Sequence, residues 1–529
     1  MTGPSVEFAY VAAAAVCAAV AFAIATAQSF MGSRVGTDHP GHVFLIRAIR
    51  NNGFRLFVRI PRLLNEAVIA ALPLYLHAVF ARLGERAMFW AERLLNPAMN
   101  VLHIALFAGL LALSPSTASG TDRFFPVLAA VACFAFTPQF YHALSARNFG
   151  LSSRGIGLVA LTVLFLCAWR VTNAPVSVGG WLIGVAAAFA VWAFSTFAAQ
   201  AMVILAVLLA LIFGRYEPTL LALAGLFVFV AVHPRYALGY LRHTLAFIAA
   251  YRREMAPISI LARRHSVWRD LVFDIPRALV KGPVSGLRYA YENPVLIVVL
   301  LNPLTLAAVY ARLAGELAPG LPSFAGEIAI AGLAAMLATS FRATRFLGEP
   351  ERYVEATAPW SALAAVGWIA SRLGIEALYG VAVLFVILAI IQLGLFRVLF
   401  RYLSARPLDL AGAEAAISAF AKNGVRLASN NEHFTKLFMY NDWDFAYCIA
   451  QGQGYAGMTM NEAFARHPVL RPEAFELILR RYRINACVID RAVSEQPFRS
   501  QPADLLSATL LHETPALRVF GLTWRESEG

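Results

Sequence analysis

The chain has 529 residues, of which 59% are apolar and only 14% charged, against roughly 25% charged in an ordinary soluble domain. Residues 8–33, 94–121, 124–146, 171–214, 293–311 and 377–396 contain no Asp, Glu, Lys or Arg. A bilayer core about 30 Å thick takes about 20 helical residues to cross, so these runs exclude a soluble enzyme, a nucleic-acid binder and a disordered chain, and describe a polytopic membrane protein. The net charge of +13 comes from 41 Arg and 3 Lys; its sign suits anionic lipid head groups or phosphate-bearing ligands.

In chain order, spans are expected near 8–30, 97–114, 123–142, 156–171, 179–198, 200–214, 218–234, 293–312, 323–340, 358–372 and 376–396. That is a count of about eleven, within a range of about nine to thirteen. The first reads as a span and not a cleavable signal, being long and lacking a basic leader. The 44 residues from Val171 to Gly214 must hold two crossings, because one helix of that length would be about 66 Å long.

Beyond the first span stands GTDHPGHVFLIRAIRNNG. Gly41–Asn52 predicts an amphipathic helix in the head-group plane, with Val43, Ile46 and Ile49 on one face and Arg47 and Arg50 near the other. Leu72–Gly84 and Glu85–Leu95 predict further interfacial helices, with re-entry at Asn96–Pro97.

An odd number of crossings puts residues 31–96, 143–155, 235–292 and 341–357, and everything after 397, on one face. The other face receives short connections such as SPSTASG, TNAPVSV and GRYEP. Polar material collected on one side is an enzyme-like layout. A flippase or other transporter would keep ionisable residues near the midplane and show internal repeats, and no repeat is visible. An O-antigen-type polymerase would not need the polar tail, and a catalytically inactive assembly subunit stays open. The polar face carries 24 Lys/Arg before the tail, against five opposite. The positive-inside rule would make that face cytoplasmic, although the rule weakens for loops of about 60 residues.

Residues 1–402 thus form a transmembrane domain, and 403–529 a small soluble α/β domain. In the latter, Val425–Ala428 predicts a strand, and Pro472–Tyr482 a helix with Phe475, Leu477, Ile478 and Tyr482 inward. Ile484–Ile489 predicts a buried strand, and LLHETPALRVFGLTW a terminal hairpin. Cys448 and Cys487 could pair there in an oxidising compartment.

Three segments on the polar face carry candidate chemistry. In ALSARNFGLSSRG, Arg147 and Arg154 flank small turn-forming residues suited to holding a phosphate; anchoring span ends at head groups would explain them equally. In FRATRFLGEPERYVE, Arg345 and Arg352 could reach a phosphate. There Glu349 or Glu351 could bind sugar hydroxyls or orient an arginine, and internal Glu–Arg pairing is the plain alternative. Residues 235–292 read as basic, aromatic-rich helices lying on the membrane.

Together with STFAAQ and with PLYLHAVFARLG, which contains His77, these features resemble the GT-C membrane glycosyltransferases. Asp38 and His42 supply that family's first-loop acid with a following histidine, RAIRNNG its arginine–glycine stretch, and the many spans plus a small C-terminal domain its layout. The resemblance covers nearly the whole chain. It implies an α-helical polytopic fold with interfacial helices and an α/β tail, working at the extracytoplasmic face of a bacterial inner membrane. It also implies transfer of a sugar, with inversion, from a polyprenyl-phosphate carrier to an acceptor hydroxyl of a glycan, lipid or protein. Asp38 would be the general base, where its plain alternative is capping the interfacial helix. His42, Arg147, Arg154, Arg345, Glu349 and Arg352 would hold the substrate and lipid phosphate. Several GT-C families carry a second acid near 143–155. This chain has none there, against a carboxylate-bridged metal, although a divalent metal stays open.

Overall fold

The computed structural model describes residues 6–31, 39–56, 62–64, 74–114, 124–142, 145, 151–255, 267–341, 343–403, 408–441, 444–448 and 457–525. Its first ten helices are α1 (Val6–Met31), α2 (His39–Asn51), α3 (Tyr75–Phe80), α4 (Glu85–Leu113), α5 (Phe124–Ala135), α6 (Arg154–Asn173), α7 (Val178–Phe194), α8 (Thr196–Phe213), α9 (Glu217–Val232) and α10 (Pro234–Ala250). There follow α11 (Ile275–Lys281), α12 (Pro283–Glu292), α13 (Pro294–Leu301), α14 (Pro303–Leu313), α15 (Leu321–Thr339), α16 (Glu351–Arg372) and α17 (Ile375–Leu403). All eleven apolar segments overlap these helices, that at 123–142 only through α5, which ends at Ala135. Among the described residues six helices (α1, α4, α6, α8, α15 and α17) are long and apolar enough to cross a membrane, and α13 with α14 makes a seventh, bent by 80°. The other segments lie on α5, α7 and α9, which are shorter, and on α16, whose first turns are charged.

The chain divides into two compact units. The first comprises Met1–Gly32, Glu85–Ala237 and Arg264–Val398. In it α1 packs on α4 and α5, α6 on α7 and α9, and α8 on α15. Helix α16 touches α4, α5, α6, α8, α13, α14 and α15. Its residues Tyr353–Val366 are all buried, as a helix without a polar face requires. The break between α13 and α14 falls at buried Asn302, whose Nδ2 donates to Gln139 Oε1 at 2.8 Å. Irregular backbone at membrane depth survives where protein groups satisfy it.

One expectation fails in this unit. No interfacial helix stops at Asn96: α4 runs through Pro97. Proline removes one helix hydrogen bond, and packing against α1 and α5 supports the helix across it.

The second unit comprises Ser33–Gly84, Leu238–Arg263 and Leu399–Gly529, so the first-loop segment groups with the C-terminal residues. Its core is a five-stranded sheet in the order β2 (Ala446–Tyr447), β1 (Arg426–Ser429), β5 (Ala486–Asp490), β7 (Leu517–Trp524), β6 (Leu505–Glu513). Strand β1 is parallel to both neighbours, whereas β6 and β7 form the expected terminal hairpin. Helices α18 (Leu410–Phe420), α19 (Glu432–Asn441), α20 (Met460–Ala463) and α21 (Pro472–Arg481), and the short strands β3 (Phe464–Arg466) and β4 (Val469–Leu470), complete it. On α21 the buried residues are Ala474, Phe475, Ile478 and Leu479, while Leu477 is 44% exposed. Phe475 and Ile478 face inward as expected and Tyr482 packs partly buried against the core, whereas Ala474 and Leu479 are buried in place of Leu477.

Cys448 and Cys487 are free, buried thiols. Ala428 of β1 stands between them, opposite Cys487 in register. Strands two apart are separated by about 9.6 Å, too far for a disulfide. Burial pushes both thiols above the ordinary cysteine range.

Candidate active site

Three motifs singled out in the sequence meet in the first unit. Helix α7 ends and α8 begins at Ser195, whose hydroxyl caps α8 by accepting from Ala198 N at 3.3 Å. Gly157 on α6 faces this junction. A Cβ there would come within 2.5 Å of the Ser195 and Ala198 Cβ atoms, so glycine is what lets the helix opened by Arg154 lie against STFAAQ.

STFAAQ in turn holds the 347–353 turn. Gln200 Nε2 donates to the Leu347 carbonyl and, at 3.0 Å, to the Tyr353 hydroxyl. Tyr353 passes its own hydrogen to Leu347 O at 2.7 Å. One carbonyl therefore takes two donors, and α16 starts from a fixed turn. Gly348 makes the turn at φ +103°, in the left-handed region. The Arg352 guanidinium lies 5.9 Å from the centre of the Phe197 ring and pairs with Glu349. Both side chains are more than four-fifths buried, so this is no solvated surface pair. Glu349 and Arg352 thus pair with each other, as the plain alternative for this cluster has it.

The first turns of α16 also hold the residues leading into the 143–155 segment. Gln139 Nε2 donates to Glu351 O at 2.9 Å, His142 Nε2 lies 3.0 Å from Tyr291 O, and Ser145 Oγ donates to Glu355 Oε1 at 2.8 Å. Glu351 and Glu355 are 3% and 1% exposed. A carboxylate this buried is costly without hydrogen-bonding partners.

In the second unit, α2 buries Val43, Phe44, Leu45, Ile46 and Ile49 and turns His42 toward α3. His42 Nδ1 and His77 Nε2 are 2.9 Å apart. Arg50 donates to Ala81 O at 3.0 Å and to Leu83 O at 2.5 Å, fixing α3 to α2. Arg47 donates to Tyr440 O at 2.6 Å.

Of the residues expected at the site, Arg154, Glu349 and Arg352 lie on the connected elements of the first unit, and His42 on the second. Asp38, Arg147 and the side chain of Arg345 lie outside the described residues. Gln200, Tyr353, Glu355, Gln139 and Asn302 were not singled out as site residues. Their signal was polarity inside apolar runs, which sequence alone does not separate from tolerated burial. Among the described residues no group of three His, Cys, Asp or Glu could hold a metal ion.

No protein-family model matches the sequence, and no curated protein matches it. Among solved structures the chain is similar to the crystal structure of ArnT from Cupriavidus metallidurans bound to undecaprenyl phosphate. That match covers 96% of this chain and 97% of the other, with 14% identity and a TM-score of 0.53. The likeness establishes a shared fold across the whole chain: a multi-pass helical membrane protein with a small C-terminal sheet unit.

Proposed function

We propose that the protein is a membrane glycosyltransferase of GT-C type. It moves a sugar from a polyprenyl-phosphate-linked donor to an acceptor hydroxyl of a glycan, lipid or protein. The observation that carries this reading is the end-to-end fold likeness to ArnT bound to undecaprenyl phosphate. A likeness in fold is joined here by the packing of the helix that Arg154 opens against STFAAQ and by the bonds from STFAAQ to the turn before Arg352. The work is set at the extracytoplasmic face of a bacterial inner membrane, where lipid-linked sugars of this kind are used.

The chemistry follows from the bonds exchanged. The acceptor oxygen forms a bond to the anomeric carbon as the carbon–phosphate oxygen bond breaks, with inversion through an oxocarbenium-like state. The departing lipid phosphate gathers negative charge, and Arg154 and Arg352, with Arg147 and Arg345, answer it. The Glu349 pair and the Phe197 ring hold Arg352 ready before the charge develops. Asp38 removes the acceptor proton as general base.

The break at Asn302 is a feature that a lipid-linked oligosaccharide transporter would also use. Here Gln139 ties it off inside protein, which favours the enzyme.

Purified protein in nanodiscs, given undecaprenyl-phosphate-linked sugars, should transfer sugar to an acceptor extract. Asp38→Asn should lower the rate by about 10²–10⁴-fold with folding intact. Near-normal transfer by Asp38→Asn removes the base, and lipid translocation without sugar transfer by the wild type moves the protein to the transporter class.

A further inference from the structure

We infer that the first unit holds a lipid head-group site at the ends of α8 and α15 far from the 347–353 turn. Arg215 and Arg312 take the phosphate, and Glu217 the ammonium, of a phosphoethanolamine-type lipid. The site stands apart from the sugar transfer and does not depend on it.

Local structure brings the three side chains to this end. Helix α8 stops at Gly214, whose left-handed φ of +66° lets its N donate to Ala210 O at 3.0 Å and Arg215 N to Leu209 O at 3.2 Å. That closure turns Arg215 off the end of α8, and α9 starts two residues later at Glu217. Arg312 lies in the last turn of α14. Gly326 on α15 lets it approach, since a Cβ there would come 2.9 Å from the Arg312 Cβ. The next residue on α15, Glu327, binds both arginines.

The bond pattern leaves a seat for an anion. Arg215 gives Nε to Glu327 Oε2 at 2.9 Å and Nη2 to Oε1 at 3.3 Å, and Arg312 gives Nη2 to Oε1 at 3.2 Å. Neither Nη1 amino group donates to another protein atom among the described residues, and each side chain is about one-third exposed. Two guanidiniums held by one buried carboxylate are oriented in advance, which suits the two oxygens of a phosphodiester.

The charge balance selects the head group. The hydrogen bond to Glu327 first, against a smaller cost of burial, and the charges of Glu327 and Glu217 after it raise the Arg215 pKa above the ordinary arginine value. Glu217 therefore acts on the same guanidinium. It is half-buried, and its Oε2 has no hydrogen-bond partner among the described residues, a costly state that a cation beside it relieves. Two arginines and two glutamates sum to zero, which matches a zwitterion better than an anionic lipid. A primary ammonium brings three donors to a carboxylate, whereas a trimethylated one brings none. The nearby Glu316 is already engaged, accepting from Trp368 Nε1 at 2.5 Å and pairing with Arg372 at 3.2 Å.

The surroundings favour a lipid over free phosphate. Tyr216 follows Arg215, Tyr310 stands two residues before Arg312, and both are more than half exposed, as aromatic rings at head-group depth are. Leu211 and Leu313, beside the same two arginines in sequence, expose apolar surface for acyl chains.

The test is native mass spectrometry of the full chain given equal amounts of phosphatidylethanolamine, phosphatidylcholine and phosphatidylglycerol with the same acyl chains. The wild type should retain phosphatidylethanolamine about tenfold or more over each of the others. Glu217→Gln should erase the preference over phosphatidylcholine while both lipids still bind. Arg312→Gln should lower retention of phosphatidylethanolamine about tenfold with helix content by circular dichroism unchanged. Should Arg312→Gln misfold, the Glu217→Gln comparison decides alone. Equal retention of the three lipids by the wild type overturns the site, and so does an unchanged preference in Glu217→Gln. Strongest retention of phosphatidylglycerol overturns the zwitterion. Displacement of the lipid by an equal concentration of inorganic phosphate makes this a free-phosphate site and overturns the lipid.

Discussion

Ser145 and Glu355, separated by 210 positions in the chain, meet in the buried interior of the first unit with Oγ donating to Oε1 at 2.8 Å. The 143–155 segment contains no acid of its own, and α16 brings one to it. Glu355 thereby fixes the start of the segment that carries Arg154 on the helix that also carries Arg352.

Glu355→Gln keeps an acceptor for Ser145 and should leave melting temperature nearly unchanged. Glu355→Ala takes this acceptor from a buried hydroxyl and should cost about 1–3 kcal/mol. Thermal unfolding in detergent reads the difference, and equal melting points for the two variants would remove Ser145 from the account.

The Gln200–Leu347–Tyr353 bonds make a second prediction. Tyr353→Phe removes the hydroxyl that both gives and takes a hydrogen bond, for about 1–2 kcal/mol. Gly348→Ala forces a side chain into a left-handed conformation at φ +103°, for about 1–2 kcal/mol. Both should also lower sugar transfer by loosening the turn before Arg352. A melting shift with transfer per folded molecule unchanged would make the turn purely structural.

The apolar helices were legible because spanning length and missing charge are local properties of the sequence. The β6–β7 hairpin was legible for the same reason, its turn and alternation lying within 20 residues. What sequence hid was pairing at a distance. Nothing local ties His77 to His42, Gln200 to Leu347 or Glu355 to Ser145. Helix α16 looked short as a span because its first turns carry Glu351, Arg352 and Glu355; in the fold two of these are buried by neighbouring helices. Pro97 misled for a related reason, since a residue that ends an isolated helix is tolerated where tertiary packing supports it.

At the other end of α8 and α15, Glu327 is 3% exposed and accepts from Arg215 Nε at 2.9 Å and from Arg312 Nη2 at 3.2 Å. The two arginines come from the α8–α9 turn and from α14, so one carboxylate ties three parts of the bundle. Both arginines are about one-third exposed, which weakens each pair relative to a fully desolvated one. Arg215→Ala should cost about 1–3 kcal/mol in unfolding while leaving transfer per folded molecule unchanged. Lost transfer in a fully folded Arg215→Ala protein would give this end of the bundle a role in the reaction.

Glu432 makes the stability of the C-terminal sheet depend on acid pH. Burial works to raise its pKa, but Lys436, a hydrogen bond from His467 and the nearby His433 together outweigh burial and hold it below the ordinary 4.5. A carboxylate with a lowered folded pKa stabilises the fold above its unfolded pKa, and that stability fades as pH falls through the folded value. Below 4.5, the protection of the β1 and α19 amides against hydrogen exchange should fall in the wild type. Glu432→Gln lacks the charge at every pH, so its protection should start lower and fall less steeply over the same interval. Parallel pH profiles in the two proteins would mean that Lys436 and the histidines do not act through this carboxylate.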